Sequence, residues 1–556
     1  MKLSSCFRLL TALLFASSWV IEARGALKTR PSHAPEPKKV LFVAHFLVNT
    51  EVNQMLLVAE KLRERGHQVE FIVNELYQGK VQAQGFQVVD TTPNPMENPV
   101  SKANTKKAMD IALQSNSWSS YVGKFFPKIM AESASNFEPC LVTVQKHVSS
   151  NRPDVMVASM FSDCAIDVAK AHDVPTGIIY ATPLGSLFGY EDHVAAPDAL
   201  LWSSLDEHQN FWPRLRKVLS LVLLISVTMD MAAAANAIRE KHGIAPIGHP
   251  LTNWGKAAVF HTWPLGLDLA RPLRPLTFST GFVVSEYQPP TNLSELDSSL
   301  VEILNTSPGG VVLAAFGTLA APSPEIVAQI VQGLDAWARA QSQPAAAIYV
   351  MNDFSHDVDL SQMLPADSGV KIVKGWVNQR MILEHANTKA FITHGGQGSI
   401  AEAVYHQVPM LAIPIFGDQP SNGHRLQEAG IGLKLHFREE EVTASAVRDS
   451  LTNLTSIDAP YIANIERQYQ ISARAGGAGK IADVVEDMLL LGHLEHLIPV
   501  TERVPFPANS NSDLYLFLAV VVGIVVYSVY RVTIMVWKLV CSVVFGRAGS
   551  LKKKVA

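Results

Sequence analysis

Ala390-Phe391-Ile392-Thr393-His394-Gly395-Gly396-Gln397-Gly398-Ser399 is a short apolar run that breaks into a glycine-rich turn and opens a helix carrying Glu402. A run of this length bounded by glycines reads as a buried strand. The free N–H groups and positive dipole end of the helix that follows suit a pyrophosphate. No Gly-Lys-Ser/Thr pair is present, so nucleoside triphosphate hydrolysis is not indicated. The next apolar run, Met410 to Ile413, leads into Pro414-Ile415-Phe416-Gly417-Asp418-Gln419. Asp418 and Gln419 then project from a second strand end, as acceptor and donor for several hydroxyls. Upstream, the strand ending at Phe316 turns through Gly317 and Thr318. The glycine lets backbone approach a ligand, and the threonine offers a hydroxyl and an amide. Trp376, after Gly375, presents a flat face to a base.

Working outward, strand and helix patterns alternate along the chain. Val40 to Ala44 reads as a strand, Asn53 to Arg65 as an amphipathic helix closed by Gly66, and Val69 to Val73 as a strand. Asp154 to Ala158, Cys164 to Ala171 and Gly177 to Tyr180 repeat the unit, as do Gly310 to Phe316, Pro324 to Ala338 and Ala346 to Met351. This alternation predicts an α/β fold of two Rossmann-like domains facing each other across a crevice at the strand ends. The expected boundaries are 38–283 for the first domain, 284–300 for a linker with Pro289 and Pro290, and 301–490 for the second. A return segment and stalk follow at 491–512. The apolar run Leu219 to Thr228 is too short for a membrane span and reads as part of a helix lining or lidding an acceptor cleft.

The ends point to a membrane. Lys2 and Arg8 beside the apolar run Leu9 to Ala16 form a signal-peptide pattern over 1–25. Residues 514–537 make a transmembrane helix in which Arg531 snorkels. The basic tail 538–556 is placed in the cytoplasm by the positive-inside rule, as in a single-pass type I protein with a luminal body. Lys553 and Lys554 are similar to an endoplasmic reticulum retrieval signal. Asn292-Leu-Ser294 and Asn453-Leu-Thr455 fit the N-glycosylation pattern. The net charge of −4 over 556 residues, with no basic stripe in the body, argues against nucleic acid as a partner. Of four cysteines, Cys6 lies in the leader and Cys541 beside the span, leaving Cys140 and Cys164 as the one luminal pair. That spacing predicts no disulfide framework and no cysteine-based metal site.

The run Gly375-Trp376-Val377-Asn378-Gln379, then Phe391-Ile392-Thr393-His394-Gly395-Gly396, Ser399, Glu402, and Phe416-Gly417-Asp418-Gln419 with Asn422, resembles the signature of the glucuronosyl and glucosyl transferase superfamily. Its members use UDP-sugars and share a two-domain fold called GT-B. The resemblance implies that Trp376 stacks on uracil, Gln379 contacts the base and Glu402 receives the ribose hydroxyls. It places the diphosphate on His394, Gly395, Gly396, Ser399 and the Gly317-Thr318 turn, and the sugar on Asp418 and Gln419. Asn378 stands where proline is usual, and Gly398 where asparagine is usual.

The implied reaction is transfer of a hexosyl or glucuronosyl group from a UDP-sugar to a hydroxyl of a small lipophilic alcohol, sterol or phenol. It is inverting and needs neither metal nor further cofactor. Besides these substrates and the membrane, a second copy of the chain is a candidate partner. The family pairs a base His with a supporting Asp, but those positions fall on Glu51 and Ser159 here. Three readings stay open: Glu51 acts as base, with or without Asp163; His45 acts, or the acceptor is already acidic; or the chain binds a nucleotide sugar or lipophilic ligand without turnover.

Overall fold

The computed structural model describes residues 37–45, 49–94, 126–183, 210–248, 254–285, 297–318, 322–352, 360–436, 441–499 and 512–552, with a few isolated positions besides. The expected signal peptide, the site at Asn292, Lys553 and Lys554 lie outside these residues. So does most of the expected linker.

Seven strands form the first sheet: β1 (Lys39–Ala44), β2 (Gln68–Asn74), β3 (Gln87–Thr92), β4 (Val155–Ser159), β5 (Thr176–Tyr180), β6 (Ala258–His261) and β7 (Thr277–Ser279). Their order is β3-β2-β1-β4-β5-β6-β7, with every pair parallel. The helices connecting them are α1 (Asn49–Glu64), α2 (Glu75–Ala83), α3 (Phe126–Ser150), α4 (Asp163–Ala171) and α5 (Phe211–Lys241). In the second sheet β8 (Gly310–Ala315), β9 (Ala345–Met351), β10 (Val370–Lys374), β11 (Thr388–Thr393), β12 (Met410–Ala412) and β13 (Gly432–Lys434) run in the order β10-β9-β8-β11-β12-β13, again parallel. Its helices are α6 (Ser298–Thr306), α7 (Pro324–Arg339), α8 (Gln379–Glu384), α9 (Gln397–Tyr405), α10 (Gln419–Glu428), α11 (Ala444–Leu454) and α12 (Tyr461–Arg474). The fold is the expected pair of Rossmann-like domains.

Both faces of each sheet are covered, which is why the strands read as unbroken apolar runs. In β1, Val40, Phe42 and Ala44 enter one core cluster with α1, while Leu41 and Val43 enter another with α3 and α4. In β8, Val311 and Leu313 face one cluster, and Val312 and Ala314 the other. The disulfide Cys140–Cys164 joins α3 to α4 across a Cα separation of 6.0 Å. These are the two cysteines that the sequence left as a luminal pair, and packing of the two helices brings them together.

Helix α13 (Gly477–Leu491) packs back onto the first sheet. Its residues were expected in the second domain, yet Ile481, Val485 and Met488 pack into the first core with α1. Arg65, at the end of α1, pairs with Asp483 at 2.8 Å and Glu486 at 2.6 Å. Periodicity shows that a helix is amphipathic but not which sheet receives its apolar face.

The last helix, α14 (Ser512–Lys552), is the one described helix long and apolar enough to cross a membrane. Its apolar window, Asp513–Ser542, has mean hydropathy 2.1 and is unburied. Thirty helical residues extend about 45 Å, more than the roughly 30 Å of bilayer hydrocarbon. The helix continues beyond Trp537, so the basic tail is helical through Lys552. The run Leu219 to Thr228 lies within α5, whose Phe211, Trp212 and Leu219 are exposed. The side chains of 220–228 lie outside the described residues.

Ile481→Ala empties a fully buried site and is expected to cost about 2–5 kcal/mol in chemical denaturation. Leu490→Ala, on the exposed face of the same helix, is expected to change stability by under about 0.5 kcal/mol.

Candidate functional site

In open parallel sheets a crevice forms where strand order reverses. In the second sheet that point lies between β8 and β11, so the turns carrying Gly317 and His394 leave side by side. Gly317 has φ +74°, and a Cβ there would lie 2.8 Å from the His394 ring. A Cβ on Gly396 would lie 2.4 Å from His394 Nε2. The imidazole thus fits between two backbone segments that tolerate no side chain. Burial lowers the His394 pKa to about 4, so the ring is a neutral hydrogen-bonding group at neutral pH. Its Nδ1 is buried without a protein partner. Asn352, just after β9, donates to the Gly317 carbonyl at 2.7 Å and fixes that turn. Thr318 is exposed beside it.

Helix α9 starts at this turn with Gly396 as its cap and no side chain bonded to its first amides. The N–H groups of Gln397, Gly398 and Ser399 therefore have no partner within the helix. Asn422 ties this turn to the next: its Nδ2 donates to Gly395 O and to Asp418 Oδ2, each at 2.9 Å. Burial raises the Asp418 pKa. Gln419 Oε1 accepts from Ile415 N at 2.9 Å and Phe416 N at 3.0 Å. Its oxygen is therefore spent on the turn, and its amide nitrogen is the group it can offer.

Gln379, at the start of α8, donates to Glu402 at 2.7 Å. Burial raises the Glu402 pKa, and the Gln379 bond opposes the shift. Trp376 is 79% exposed, its face open as a base platform requires. Asn378, where the resemblance has proline, caps α8 by accepting from Met381 N at 3.4 Å.

The first sheet reverses between β1 and β4. Glu51 lies in the first turn of α1 just after β1, and Ser159 ends β4. The Ser159 hydroxyl donates to the Glu51 carboxylate and accepts from Phe161 N at 3.2 Å. Glu51 is 2% exposed, and burial raises its pKa to about 8 against the opposing bond from Ser159. Its other oxygen, Oε1, is buried without a hydrogen-bond partner. The buried phenol of Tyr77 feels its charge.

The two substitutes considered from sequence have other surroundings. His45 leans on Ser162, with Nδ1 3.4 Å from its hydroxyl, and burial lowers its pKa to about 4. Asp163 heads α4, where burial and then the Asp167 charge raise its pKa to about 7. Its other charged neighbours are Arg239 and Lys170, and Arg239 is paired with Asp167 at 2.8 Å. Among the described residues the one cluster of metal-ligand types is His45, Cys140 and Cys164, whose sulfurs are tied in the disulfide.

The two halves touch beside these groups. A Cβ on Gly398 would lie 2.7 Å from Thr50 Oγ1, so glycine at this departure from the family pattern lets α1 and α9 meet end to end. Arg425 of α10 reaches Asp268 at 3.3 Å, both fully buried, with His261 3.2 Å away. Burial disfavours the Asp268 charge, but Arg425, His261 and Arg271 hold it ionised. Sequence reading gave Asn422 no role of its own and missed Asn352 and this ion cluster. Asn422 stood in the signature, whereas the others carry no local signal.

A crevice with unpaired amides at a helix start, a carboxylate held by Gln379, an exposed indole and a buried acid in the other domain can hold a nucleoside diphosphate against a second substrate. Known proteins agree. The family described as "UDP-glucoronosyl and UDP-glucosyl transferase" matches residues 38–472. UDP-glycosyltransferase stmC of Aspergillus ustus is 26% identical over 539 residues, covering 88% of this chain and 96% of that protein. Human UDP-glucuronosyltransferase 3A2 is 27% identical over 378 residues, 66% of this chain and 68% of that one. The glycotransferase of kitacinnamycin superposes with TM-score 0.61 at 17% identity, over 82% of this chain and all of that one, and the calicheamicin glycosyltransferase CalG4 with 0.55 at 17%, over 82% and 99%. The chain belongs to the UDP-glucuronosyl and UDP-glucosyl transferase family, and is a GT-B glycosyltransferase that uses a UDP-sugar.

Proposed function

We propose that this enzyme transfers a hexosyl or glucuronosyl group from its UDP-sugar to a hydroxyl of a small lipophilic alcohol, sterol or phenol, with Glu51 as the base. The observation that carries this is the buried hydrogen bond from Ser159 to Glu51. It puts one oriented carboxylate at the reversal point of the first sheet, next to the end-to-end contact of α1 with α9. Glu51 in its ionised form takes the proton of the acceptor hydroxyl as that oxygen bonds to the anomeric carbon. The bond from that carbon to the diphosphate oxygen breaks on the opposite face, so the configuration inverts. The departing electron pair goes to UDP, whose charge is met by the first amides of α9 and its dipole. Those donors and the neutral His394 supply this stabilisation without a metal.

In the donor site Trp376 and Gln379 hold the uracil, and Glu402 the ribose. His394, Gly395, Gly396, Ser399 and the Gly317-Thr318 turn hold the diphosphate, and Asp418 and the Gln419 amide nitrogen hold the sugar. An apolar α14 suits an enzyme that draws lipophilic acceptors from a membrane. The Cys140–Cys164 bond fits an oxidising compartment, which supports a luminal body on an endoplasmic reticulum anchor.

Three outcomes follow for purified full-length protein assayed with UDP-glucose, UDP-glucuronate and UDP-N-acetylglucosamine and a phenolic acceptor such as 4-methylumbelliferone. Glu51→Gln is expected to lower kcat by about 10²–10⁴-fold with UDP affinity unchanged. Full activity in that variant refutes the role of Glu51. Gly396→Ala drives a methyl into His394, and calorimetry should show UDP affinity lost. The third concerns stability. Folded Glu51 keeps a proton that the unfolded chain releases between the ordinary value of 4.5 and about 8, so stability falls as pH rises through that window. Glu51→Gln removes this slope, and its Tm advantage over the native protein should widen between pH 5 and pH 8. A constant gap contradicts the raised pKa.

A further inference from the structure

Three side chains from three elements close a hydrogen-bonded ring between the two halves. Gln54 Nε2 donates to Gln397 Oε1 at 3.0 Å. Gln397 Nε2 donates to the backbone oxygen of Thr262 at 2.9 Å. The Thr262 hydroxyl lies 3.2 Å from Gln54 Oε1, and also 3.2 Å from Tyr180 O. All three are buried, at 2%, 6% and 0% exposure for Gln54, Gln397 and Thr262. The direction of the ring is set by chemistry. A backbone carbonyl only accepts, so Gln397 must turn its NH₂ toward Thr262 and its oxygen toward Gln54, which then turns its own NH₂ toward Gln397.

The location gives the ring its consequence. Gln54 sits one helical turn after Glu51, on the same face of α1. Gln397 is the first residue of α9, the helix whose first amides are assigned to the diphosphate in the proposed donor site. Thr262 follows β6 of the first sheet. The link therefore spans from the turn holding the base to the turn holding the donor. Thr50 against Gly398 is the next contact along the same seam. Apolar packing alone would let α1 slide over α9, whereas a directional ring of buried amides fits at one offset.

We propose that Gln54, Thr262 and Gln397 are positioning residues whose ring sets the closure of the two domains and so the approach of Glu51 to the anomeric carbon. This rests on the reading of Glu51 as base. None of the three touches the reacting atoms. Loss of the ring leaves the donor site of the second domain intact and misplaces the base.

The test uses full-length protein carrying Thr262→Val, Gln397→Leu, or Gln54→Leu with Gln397→Leu. The expected result for Gln397→Leu is a kcat lower by on the order of 10²-fold, with UDP affinity by calorimetry within about two-fold of native. Thr262→Val, which deletes only the hydroxyl, is expected to lose several-fold in kcat. The double variant leaves no lone buried amide, so its Tm recovers toward the native value while kcat stays low. A kcat within two-fold of native in Thr262→Val and Gln397→Leu overturns the proposal, as does a kcat that recovers with Tm in the double variant. If Gln397→Leu does not fold, Thr262→Val decides alone. If the native protein turns over no donor, the functional reading fails by itself. The ring is then judged by small-angle scattering with UDP bound: a larger radius of gyration in Gln397→Leu supports it, and an unchanged one overturns it.

Discussion

Parallel strands leave their polar turns on one side, and two parallel sheets can share a ligand only if those sides face each other. That requirement organises this molecule. Strand order reverses between β1 and β4 in one sheet and between β8 and β11 in the other. The reversals separate neighbouring connections and open a gap where side chains and helix starts are free to meet a ligand. Glu51 and Ser159 flank one gap, and Gly317 and His394 flank the other. The chain then holds the gaps in register by sending α13 back onto the first core.

Within that frame, the chemistry is made by denying water to polar groups. Buried in apolar surroundings, Glu51 holds its proton toward pH 8, while His394 and His45 stay neutral. The same burial would be costly if the groups were left unmatched. Most are matched: Ser159 serves Glu51, Gln379 serves Glu402, and Asn422 serves Asp418. Among the buried atoms without a hydrogen-bond partner are Glu51 Oε1, in the first turn of α1, and His394 Nδ1, on the turn before α9. A general acid–base group with its pKa near the operating pH is the useful kind, and burial brings Glu51 into that range, as the proposed role requires.

The glycines of the turns after β8 and β11 illustrate how little of the candidate site depends on side chains. Gly317 and Gly396 admit the His394 ring, and Gly398 admits Thr50. Each is a place where backbone or a neighbouring ring fills the room a Cβ would take. In the proposed mechanism the amides at the start of α9 meet the diphosphate charge.

The fold and the donor turns were legible in the residue order. Buried parallel strands print apolar runs, glycine-rich turns mark their ends, and the run from Gly375 to Asn422 carries both within one short segment. Counting from neighbouring landmarks singled out Glu51 and Ser159, although 108 residues separate them and only folding puts them in contact. What the order could not show were pairings whose partners lie far apart: α13 on the first sheet, Arg425 with Asp268, and the ring of Gln54, Thr262 and Gln397. Local sequence determines backbone conformation and which faces are apolar, because those depend on propensity and short-range sterics. Which buried polar atom meets which depends on how two domains pack, and that is decided by tertiary structure alone.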